Sequence, residues 1–476
     1  MSINATTVLP IPSLPLTVCV TEHGKPERLE VIRQPGRECD FSYGVRVHPE
    51  CFETTRFLHF TCLLNQDGTP WVHGNCYLID RILSADAPDY KTIESIARDL
   101  RLFMNTLANE GIDYLDTPSL KLKMPTYFYK ANQRKYIESG KSPNTADRRM
   151  GSVTGFYRWL MKQHDYKPTN PLFIESDTYI SYQDQHGFIQ TKPVTTTDLV
   201  SKIRRCPEAD DQFIEDGGKL VPLTKEEQHV LLKCLFEINN PEMTLAFLIA
   251  LTSGARIQTV LTLKVKHLKS ANKLKRGLLT IITGDGTGID TKYGKRIAIK
   301  IPDWLVEMLL TYTNSQRYLT RKEKLYSSSD QEAYIFITKA GNPYYVAKDD
   351  PRSELIRNPT KGDAVRQFIR QQLQPLINTN ADAFKLRFHN LRATFGMNTL
   401  EDEMEKNKNH PQGETMAKLA VKALMGHSKL ETTERYWAYR SKYAVSVHVQ
   451  SKFEAHLQEM AQVRALSWYS MTDVSF

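Results

Sequence analysis

Apolar residues recur at helical spacing in separate blocks of this chain, and polar stretches without that period divide the blocks. The first clear block, DYKTIESIARDLRLFMNTLANEGI, predicts a helix whose buried face carries Ile93, Ile96, Leu100, Phe103 and Leu107. Because a chain of 476 residues is too long for one compact core, we expect two or three domains. The repeated helical period predicts a mainly α fold.

Changes in composition and in hydrophobic periodicity along the chain predict five segments. An N-terminal extension of short strands and loops (1–88) precedes a helical domain (89–172), a polar linker (173–221), a second domain (222–443) and a C-terminal tail (444–476). The fold and role of the extension stay open.

The second domain is predicted to begin with a capped helix and to contain a small β-sheet. Thr224 and Glu227 have the spacing of a capping box. In KRIAIKIP, Ile297, Ile299 and Ile301 alternate with other residues, as in a half-buried strand, and GLLTIIT supplies its partner across the turn GDGTGID. The fold class is therefore mainly α with a small β-sheet.

The charge and hydropathy of the chain limit its partners and its location. The net charge of +9 favours an anionic partner, most commonly DNA, although a generally basic surface gives the same value. No run of about 18 apolar residues occurs, and the first residues lack the basic start of a secretory signal. We therefore expect a cytoplasmic protein that does not span a membrane.

The seven cysteines include no CxxC pair, and five of them precede residue 77. Reduced, buried thiols are the favoured interpretation. A zinc site is the alternative, although structural zinc ligands normally come in closely spaced pairs. Its candidate ligands are Cys19, Cys39, Cys51, Cys62 and Cys76 with His48, His59 and His73.

Three short motifs place basic side chains where a phosphate can bind. SGARIQTV puts Arg256 at the start of a helix, where its guanidinium and the helix amides both suit an anion. FHNLRATFG puts His389 and Arg392 three residues apart on one helix face. TKYGKR brings Lys292 and Lys295 to a turn beside the predicted hairpin. Each motif alone also fits an exposed, solvated surface.

Together, and in this order, these motifs and the later LMGHS and TTERY resemble the catalytic set of the tyrosine recombinases, the phage integrase family. The resemblance spans 223–443 and extends more weakly to 89–171, which is similar to the family's helical core-binding domain. It implies a mixed α/β catalytic domain in 222–443 and a site-specific recombinase or integrase of a mobile element. The implied reaction passes through a 3′-phosphotyrosyl bond and needs no metal or cofactor.

The resemblance also implies a role for each residue of the set. The two arginines would hold the phosphoryl oxygens, and Lys292 or, alternatively, Lys295 would protonate the leaving 5′-oxygen. His389 would bind the phosphate or accept the nucleophile's proton, and His427 would donate to a phosphoryl oxygen. The implied catalytic residues are Arg256, Lys292, His389, Arg392, His427 and Tyr436.

Three tyrosines share one helix face at i, i+3 and i+7, namely Tyr436, Tyr439 and Tyr443. Periodicity cannot choose the nucleophile among them. With Thr432 or Thr433 as helix cap, Tyr436 lies in the first turn. It also follows His427 by nine residues, the family's usual interval. We therefore expect Tyr436 to attack, with Tyr439 as its rival.

Basic clusters on two domains suit a clamp that binds double-stranded DNA through its phosphates. The candidate DNA-binding residues are Arg134, Lys135, Lys141, Arg148, Arg149, Lys264 and Lys266. Exchange between two duplexes implies a homotetramer on synapsed DNA, with the tail packed on a neighbouring protomer or folded on its own domain. Accessory proteins and the DNA sequence stay open.

Three features depart from the family pattern. Thr259 stands where the family often has an acid that supports the first arginine, a charged loop (401–415) lengthens the gap to GHS, and the extension has no counterpart. The resemblance leaves two alternatives, a type IB topoisomerase that relaxes supercoils without a specific site and a catalytically silent DNA-binding regulator. The complete catalytic set argues against the silent regulator.

Overall fold

The computed structural model describes residues 6–16, 31–33, 41–43, 55–84, 88–163, 166–183, 189–200, 213–269, 277–324, 332–354, 356–380 and 383–441. They fall into two compact units, within Met1–Arg205 plus Pro351–Asn358 and within Cys206–Asp350 plus Pro359–Phe476. Helices dominate, and the named strands form two-stranded antiparallel sheets. The predicted class, mainly α with a small β component, is confirmed.

The first unit combines paired strands with a helical bundle. Strand β1 pairs with β4, β2 with β3, and β5 with β6, each antiparallel. Its elements are β1 (Thr7–Leu16), β2 (Val31–Arg33), β3 (Phe41–Tyr43), β4 (Thr55–Leu64), α1 (Val72–Leu83), α2 (Tyr90–Ala108), α3 (Pro125–Glu138), α4 (Pro143–Gln163), β5 (Glu175–Gln183) and β6 (Ile189–Thr197).

A buried asparagine joins β4 to α1 in the first unit. The Asn75 side chain accepts a hydrogen bond from the Leu63 amide at 2.8 Å and donates to the Leu63 carbonyl at 2.8 Å. Leu78 and Phe103, from opposite sides of position 88, lie in one apolar core. Residue 88 therefore does not separate two cores, and the roles assigned to the predicted segments stay predictions.

The second unit is mainly helical, and its described residues include two β-hairpins. A π-helical turn, Ile369–Leu373, joins α11 to α12. Its elements are β7 (Ile214–Glu215), β8 (Lys219–Leu220), α5 (Lys225–Ile238), α6 (Pro241–Ser253), α7 (Ile257–Leu261), α8 (Val265–Lys269), β9 (Leu278–Thr283), β10 (Ile297–Pro302), α9 (Asp303–Thr313), α10 (Gln316–Glu323), α11 (Asp363–Phe368), α12 (Gln374–Ile377), α13 (Asn390–Lys406), α14 (Gly413–Met425) and α15 (430–441).

Two local predictions for the second unit are confirmed. The Thr224 hydroxyl accepts from the Glu227 amide at 3.2 Å, and the Glu227 carboxylate accepts from the Thr224 amide at 2.8 Å, which completes the capping box. Strands β9 and β10 pair antiparallel, with Ile299 and Ile301 buried and Lys300 exposed. The hairpin thus presents one face to the core, as its alternation predicted.

Two stretches differ from their sequence predictions. The predicted linker (173–221) contains the hairpins β5–β6 and β7–β8. Strand β6 is exposed along most of its length, so it lacks the apolar alternation that marks a half-buried strand. The predicted charged loop is shorter, because α13 continues to Lys406 and α14 begins at Gly413. Glutamate and lysine are good helix formers, and Lys406 pairs with Glu403 at 2.8 Å on the helix surface.

Some predictions fall outside the described residues, among them Cys19, Cys39, Cys51, His48, Tyr443 and the tail (444–476). Within the described ranges, no group of three His, Cys, Asp or Glu side chains has the arrangement of a metal site. In the same ranges, no helix combines the length and the apolar character that a membrane span requires.

Candidate active site

Arg256 is presented by a sharp turn between two helices. Helix α6 ends at Gly254, whose left-handed φ of 64° lets the chain reverse, and Arg256 is the N-cap residue of α7. A β-carbon on Gly254 would lie 2.5 Å from the Phe395 ring. Glycine is thus required both for the backbone and for packing against α13.

Arg392 lies in the first turn of α13, where its guanidinium joins three segments. Its Nε donates to the Asp216 carboxylate at 2.7 Å, while its terminal nitrogens donate to the Gly254 and Met425 carbonyls at 2.9 Å each. His389, the N-cap residue of the same helix, donates from Nε2 to the Asp216 backbone carbonyl at 3.1 Å. The HxxR pair therefore meets one acidic residue.

The GHS turn brings His427 to the same carboxylate. Helix α14 ends at Gly426 with a φ of 65°, and the His427 amide bonds back to the Lys422 carbonyl at 3.0 Å. His427 Nε2 lies 3.3 Å from Asp216 Oδ2, and its Nδ1 lies 2.9 Å from the Thr433 hydroxyl. The turn and the Thr433 contact together fix the orientation of the imidazole.

Tyr436 is buried on α15 with its hydroxyl directed at Asp216. The phenol donates to Asp216 Oδ2 at 3.1 Å, and the side chain is 0% exposed. Helix α15 begins at residue 430, so Tyr436 lies in its second turn and the predicted cap at Thr432 or Thr433 is wrong. The Thr433 hydroxyl contacts His427 instead of the helix amides.

The two candidate lysines have different surroundings. Lys295 Nζ donates to the Gly426 carbonyl at 2.7 Å and to the Ser428 hydroxyl at 2.8 Å, so it holds the GHS turn. A β-carbon placed on Gly217 would lie 3.5 Å from Lys292 Nζ. The Lys292 ammonium group therefore lies beside the turn that carries Asp216.

Asp216, which sequence reasoning missed, is the common partner of the candidate residues. It lies at the turn between β7 and β8, within the stretch predicted as a linker. Its Oδ1 accepts from Arg256 at 3.2 Å, whereas its Oδ2 accepts from Arg392, His427 and Tyr436. An Asp-Gly-Gly turn signals only a loop. No sequence signal connects it to residues 40 to 220 positions away.

The site couples buried charges of opposite sign. Burial opposes ionisation of Asp216, but the His427 hydrogen bond and the charges of Arg392 and Arg256 lower its pKa far below the usual range. Burial and the negative charge of Asp216 raise the pKa of Tyr436 well above its ordinary value. Burial and both arginines lower the pKa of His389. In this state the phenol is protonated and the carboxylate ionised.

The DNA-binding candidates of the first unit lie on α3, on α4 and in the turn between them. Arg134, Lys135 and Lys141 are exposed, and Arg134 pairs with Glu138 at 3.0 Å. Two further arginines support the fold. Arg148 pairs with the buried Asp99 at 2.6 Å, and Arg149 stacks on the Tyr136 ring at 4.5 Å.

The candidates of the second unit share one acidic partner. Lys264 is 6% exposed and pairs with Glu332 at 2.8 Å, and Lys266 pairs with the same carboxylate at 2.6 Å. Both charges are therefore partly neutralised within the protein. Thr259, which stands where the resemblance led us to look for an acid, donates to the Asp290 carbonyl at 2.8 Å.

Comparisons with known proteins found similarity to one family in the second unit. The phage integrase family model matches residues 223–442. No curated protein matches the chain. Among solved structures, the Tn1549 transposon integrase (aa 82–397) in complex with circular intermediate DNA is 15% identical with a TM-score of 0.41, covering 76% of this chain and 94% of that one. A lambda integrase dimer bound to a COC′ core site is 15% identical with a TM-score of 0.41, covering 77% of each chain.

Likenesses of this size do not by themselves assign a function. The family match rests on sequence and contains every motif of the candidate site, from the arginine of SGARI to the tyrosine of TTERY. Residues 223–442 therefore match the phage integrase family, the family of the tyrosine recombinases.

Proposed function

We propose that this protein is a site-specific DNA recombinase, an integrase of a mobile element, that acts through a covalent bond between Tyr436 and DNA. One observation carries the proposal. Two arginines, two histidines and a buried phenol direct their polar hydrogens at a single acidic residue, Asp216, and all but His389 reach its carboxylate. A scissile phosphate has the same charge sign and the same need for convergent donors.

The arginines would supply the charge that the reaction needs. In the transition state, negative charge accumulates on the phosphoryl oxygens, and preorganised cations stabilise it most effectively in a site that excludes water. Arg392 is held by two backbone carbonyls, so its Nε has a fixed direction. With Arg256 on the other side of the anion, no metal ion is required for this role.

The proposed chemistry is an in-line exchange at phosphorus. The oxygen of Tyr436 forms a bond to phosphorus while the bond to the 5′-oxygen breaks, and His389 accepts the phenol proton. Lys292 donates a proton to the leaving 5′-oxygen, and His427 donates to a phosphoryl oxygen. Attack by a 5′-hydroxyl from another strand reverses these steps and rejoins the DNA.

Geometry favours Tyr436 over Tyr439 as the nucleophile. The Tyr436 hydroxyl lies 3.1 Å from the carboxylate that the arginines bind. Tyr439 is half-buried and packs against the apolar cluster formed by α13, α14 and the β7–β8 hairpin. It would therefore contribute to the packing of α15 rather than to the reaction.

The DNA partner and the assembly belong to the same proposal. Exposed Arg134, Lys135 and Lys141 are the strongest candidates for duplex contacts on the first unit. A solved lambda integrase tetramer bound to a Holliday junction is 15% identical to this chain with a TM-score of 0.37, covering 75% of this chain and 77% of that one. Because exchange between two duplexes requires four active sites, we propose a tetramer on paired sites, acting in the cytoplasm.

A nicked suicide duplex that carries the element's own ends tests the proposal. Wild-type protein and Tyr439→Phe should form a covalent protein–DNA adduct, and Tyr436→Phe should form none. Each change removes one phenol oxygen from α15 and keeps the aromatic ring, so the apolar packing of both rings is retained. An adduct mapped by peptide analysis to Tyr439 would overturn the assignment. Relaxation of supercoiled DNA lacking those ends would favour a topoisomerase instead.

A further inference from the structure

The carboxylate of Asp216 occupies the position that the proposed reaction reserves for the scissile phosphate. Its two oxygens accept from Arg256, Arg392, His427 and Tyr436 at 2.7 to 3.3 Å. These are the polar atoms that would have to bind a phosphate and attack it. A phosphate cannot bind these donors while Asp216 is in place, because both groups are anions and the donor hydrogens are directed at the carboxylate.

Three of the candidate residues are also closed off from solvent. Tyr436, Arg392 and His427 are 0%, 4% and 8% exposed. A β-carbon on Gly217, the next residue of the hairpin turn, would lie 3.5 Å from Lys292 Nζ and 3.8 Å from His389 Nε2. The turn thus lies beside Lys292 and His389, and its Asp216 binds Arg256, so a DNA phosphate needs the turn to move before it can bind the arginines.

The hairpin, residues 214–220, is anchored on the structure that carries the nucleophile. Ile214 and Leu220 are buried in the same apolar cluster as Tyr436. Arg435, the neighbour of Tyr436 on α15, donates to the Glu215 carbonyl at 3.2 Å and approaches its carboxylate at 3.3 Å. Movement of the hairpin is therefore coupled mechanically to α15.

A purely supporting role for Asp216 does not account for these contacts. A carboxylate that only orients an arginine can bind it from the side away from the substrate. Asp216 instead accepts from the nucleophilic hydroxyl and from an imidazole that would bind the phosphate. Left in place, its charge would repel the phosphate at short range in a poorly screened site.

We propose that the 214–220 hairpin is an intrachain pseudosubstrate, in which Asp216 stands in for the scissile phosphate and blocks cleavage until DNA displaces it. This inference rests on the proposed recombinase function. The docked turn depends on a glycine, since Gly217 adopts a left-handed φ of 72° that other residues reach only with strain. Without DNA, the Asp216 carboxylate neutralises the positive charge of the site. When a duplex binds, its phosphate displaces the hairpin and takes the place of the carboxylate.

Inorganic phosphate tests the occupancy of the anion site without any cleavage. Asp216→Asn keeps the side-chain shape but removes the charge, so the arginines can bind phosphate instead. In thermal unfolding of the full chain, this variant should be stabilised at phosphate concentrations about tenfold or more below those that wild type requires. Chloride at matched ionic strength controls for screening. If phosphate stabilises Asp216→Asn no more than chloride does, the inference fails.

Glu215→Gln is the matched control for the phosphate measurement. It removes a carboxylate from the adjacent position of the same hairpin, but that side chain is 56% exposed and pairs with Arg435. We expect it to respond to phosphate as wild type does. An equal response of both variants would mean that the hairpin acts through its general charge, and it would overturn the specific role of Asp216.

Adduct formation on the suicide duplex tests the inhibition. Asp216→Asn and Gly217→Ala should both form adduct several-fold faster than wild type. Gly217→Ala retains the charge and strains only the docked turn, so it decides the question even if Asp216→Asn folds poorly. Slower adduct formation by Gly217→Ala, or by folded Asp216→Asn, would show that the hairpin positions the site, and would refute the pseudosubstrate.

The two proposals fail in different ways. If wild type forms adduct and neither variant is faster, the recombinase function stands and the pseudosubstrate falls. If no protein forms adduct although Asp216→Asn binds phosphate, the recombinase function falls while Asp216 is still the occupant of an anion site.

Discussion

Arg392 holds the active site together as well as facing the reacting anion, so its loss should reduce both stability and activity. It donates to Asp216 at 2.7 Å and to the Gly254 and Met425 carbonyls at 2.9 Å each, and it is 4% exposed. Arg392→Ala leaves a buried carboxylate and two carbonyls without this donor. Removing one partner of a buried ion pair costs about 3–5 kcal/mol. We expect the free energy of unfolding to fall by about that amount.

Arg256→Ala is the comparison that makes this prediction specific. Arg256 donates to the same carboxylate at 3.2 Å, and its side chain is 21% exposed. A single longer, partly solvated contact of this kind is worth about 1–2 kcal/mol. The two variants should therefore differ in stability by about 2 kcal/mol or more, although both lose cleavage.

Urea unfolding of the full chain, followed by circular dichroism, measures the free energy of unfolding. Adduct formation on the suicide duplex measures cleavage. Duplex binding should survive in any variant that stays folded, because most affinity comes from phosphate contacts elsewhere. Equal unfolding midpoints for the two variants would refute the structural role of Arg392. Near wild-type cleavage by either variant would refute the assignment of the active site.

Four further outcomes follow from the contacts of the site. Lys292→Ala should lose cleavage of an ordinary duplex but recover it on a 5′-bridging phosphorothiolate, whose sulfur leaves without a proton; Lys295→Ala should show no such rescue. Adduct formation should persist in EDTA, and a strict requirement for magnesium would point to another chemistry. At Gly396 an added β-carbon would lie 2.5 Å from the ring of Tyr436, so Gly396→Ala should lower the free energy of unfolding in urea by about 1–3 kcal/mol. At Gly151 an added β-carbon would have no neighbour within 4 Å, so Gly151→Ala should not lower it. The pKa of Asp216 is lower in the folded protein than in the unfolded chain. Ionised Asp216 therefore stabilises the fold above the unfolded carboxyl pKa of about 3.9, and this contribution is lost progressively as the pH falls. The free energy of unfolding of Asp216→Asn should thus depend less steeply on pH in acid than that of wild type.

Local sequence patterns were sufficient where the cause of the structure is itself local. The capping box of Thr224 and the alternation in β10 depend on neighbours a few residues apart, and both were predictable. The same holds for Gly254 and Gly426, because a glycine after a helical run marks its left-handed end. These short-range rules place the candidate arginines and histidines at helix ends.

Two features of the fold leave no signal in the local sequence patterns. Strand β6 pairs with β5 while most of its side chains remain in solvent, so its pairing leaves no apolar period to detect. Helix α15 begins before Thr433, whose hydroxyl contacts His427, a partner that local capping rules do not include. Neither an exposed strand nor a hydroxyl bonded outside its own helix is marked by apolar periodicity or by capping rules.

Asp216 shows why the electrostatics of a site cannot be inferred from its motifs alone. Burial and the nearby charge of Arg392 lower the pKa of Arg256, so the two guanidiniums disfavour each other in the absence of an anion. Thr259 contributes no compensating charge, since it bonds a backbone carbonyl. Asp216 supplies that charge from a hairpin far away in sequence, through the same donors that a phosphate would use. The contacts that stabilise the site without DNA are therefore the contacts that keep DNA out. A substitution that weakens the docking of the hairpin should lower the free energy of unfolding and speed adduct formation.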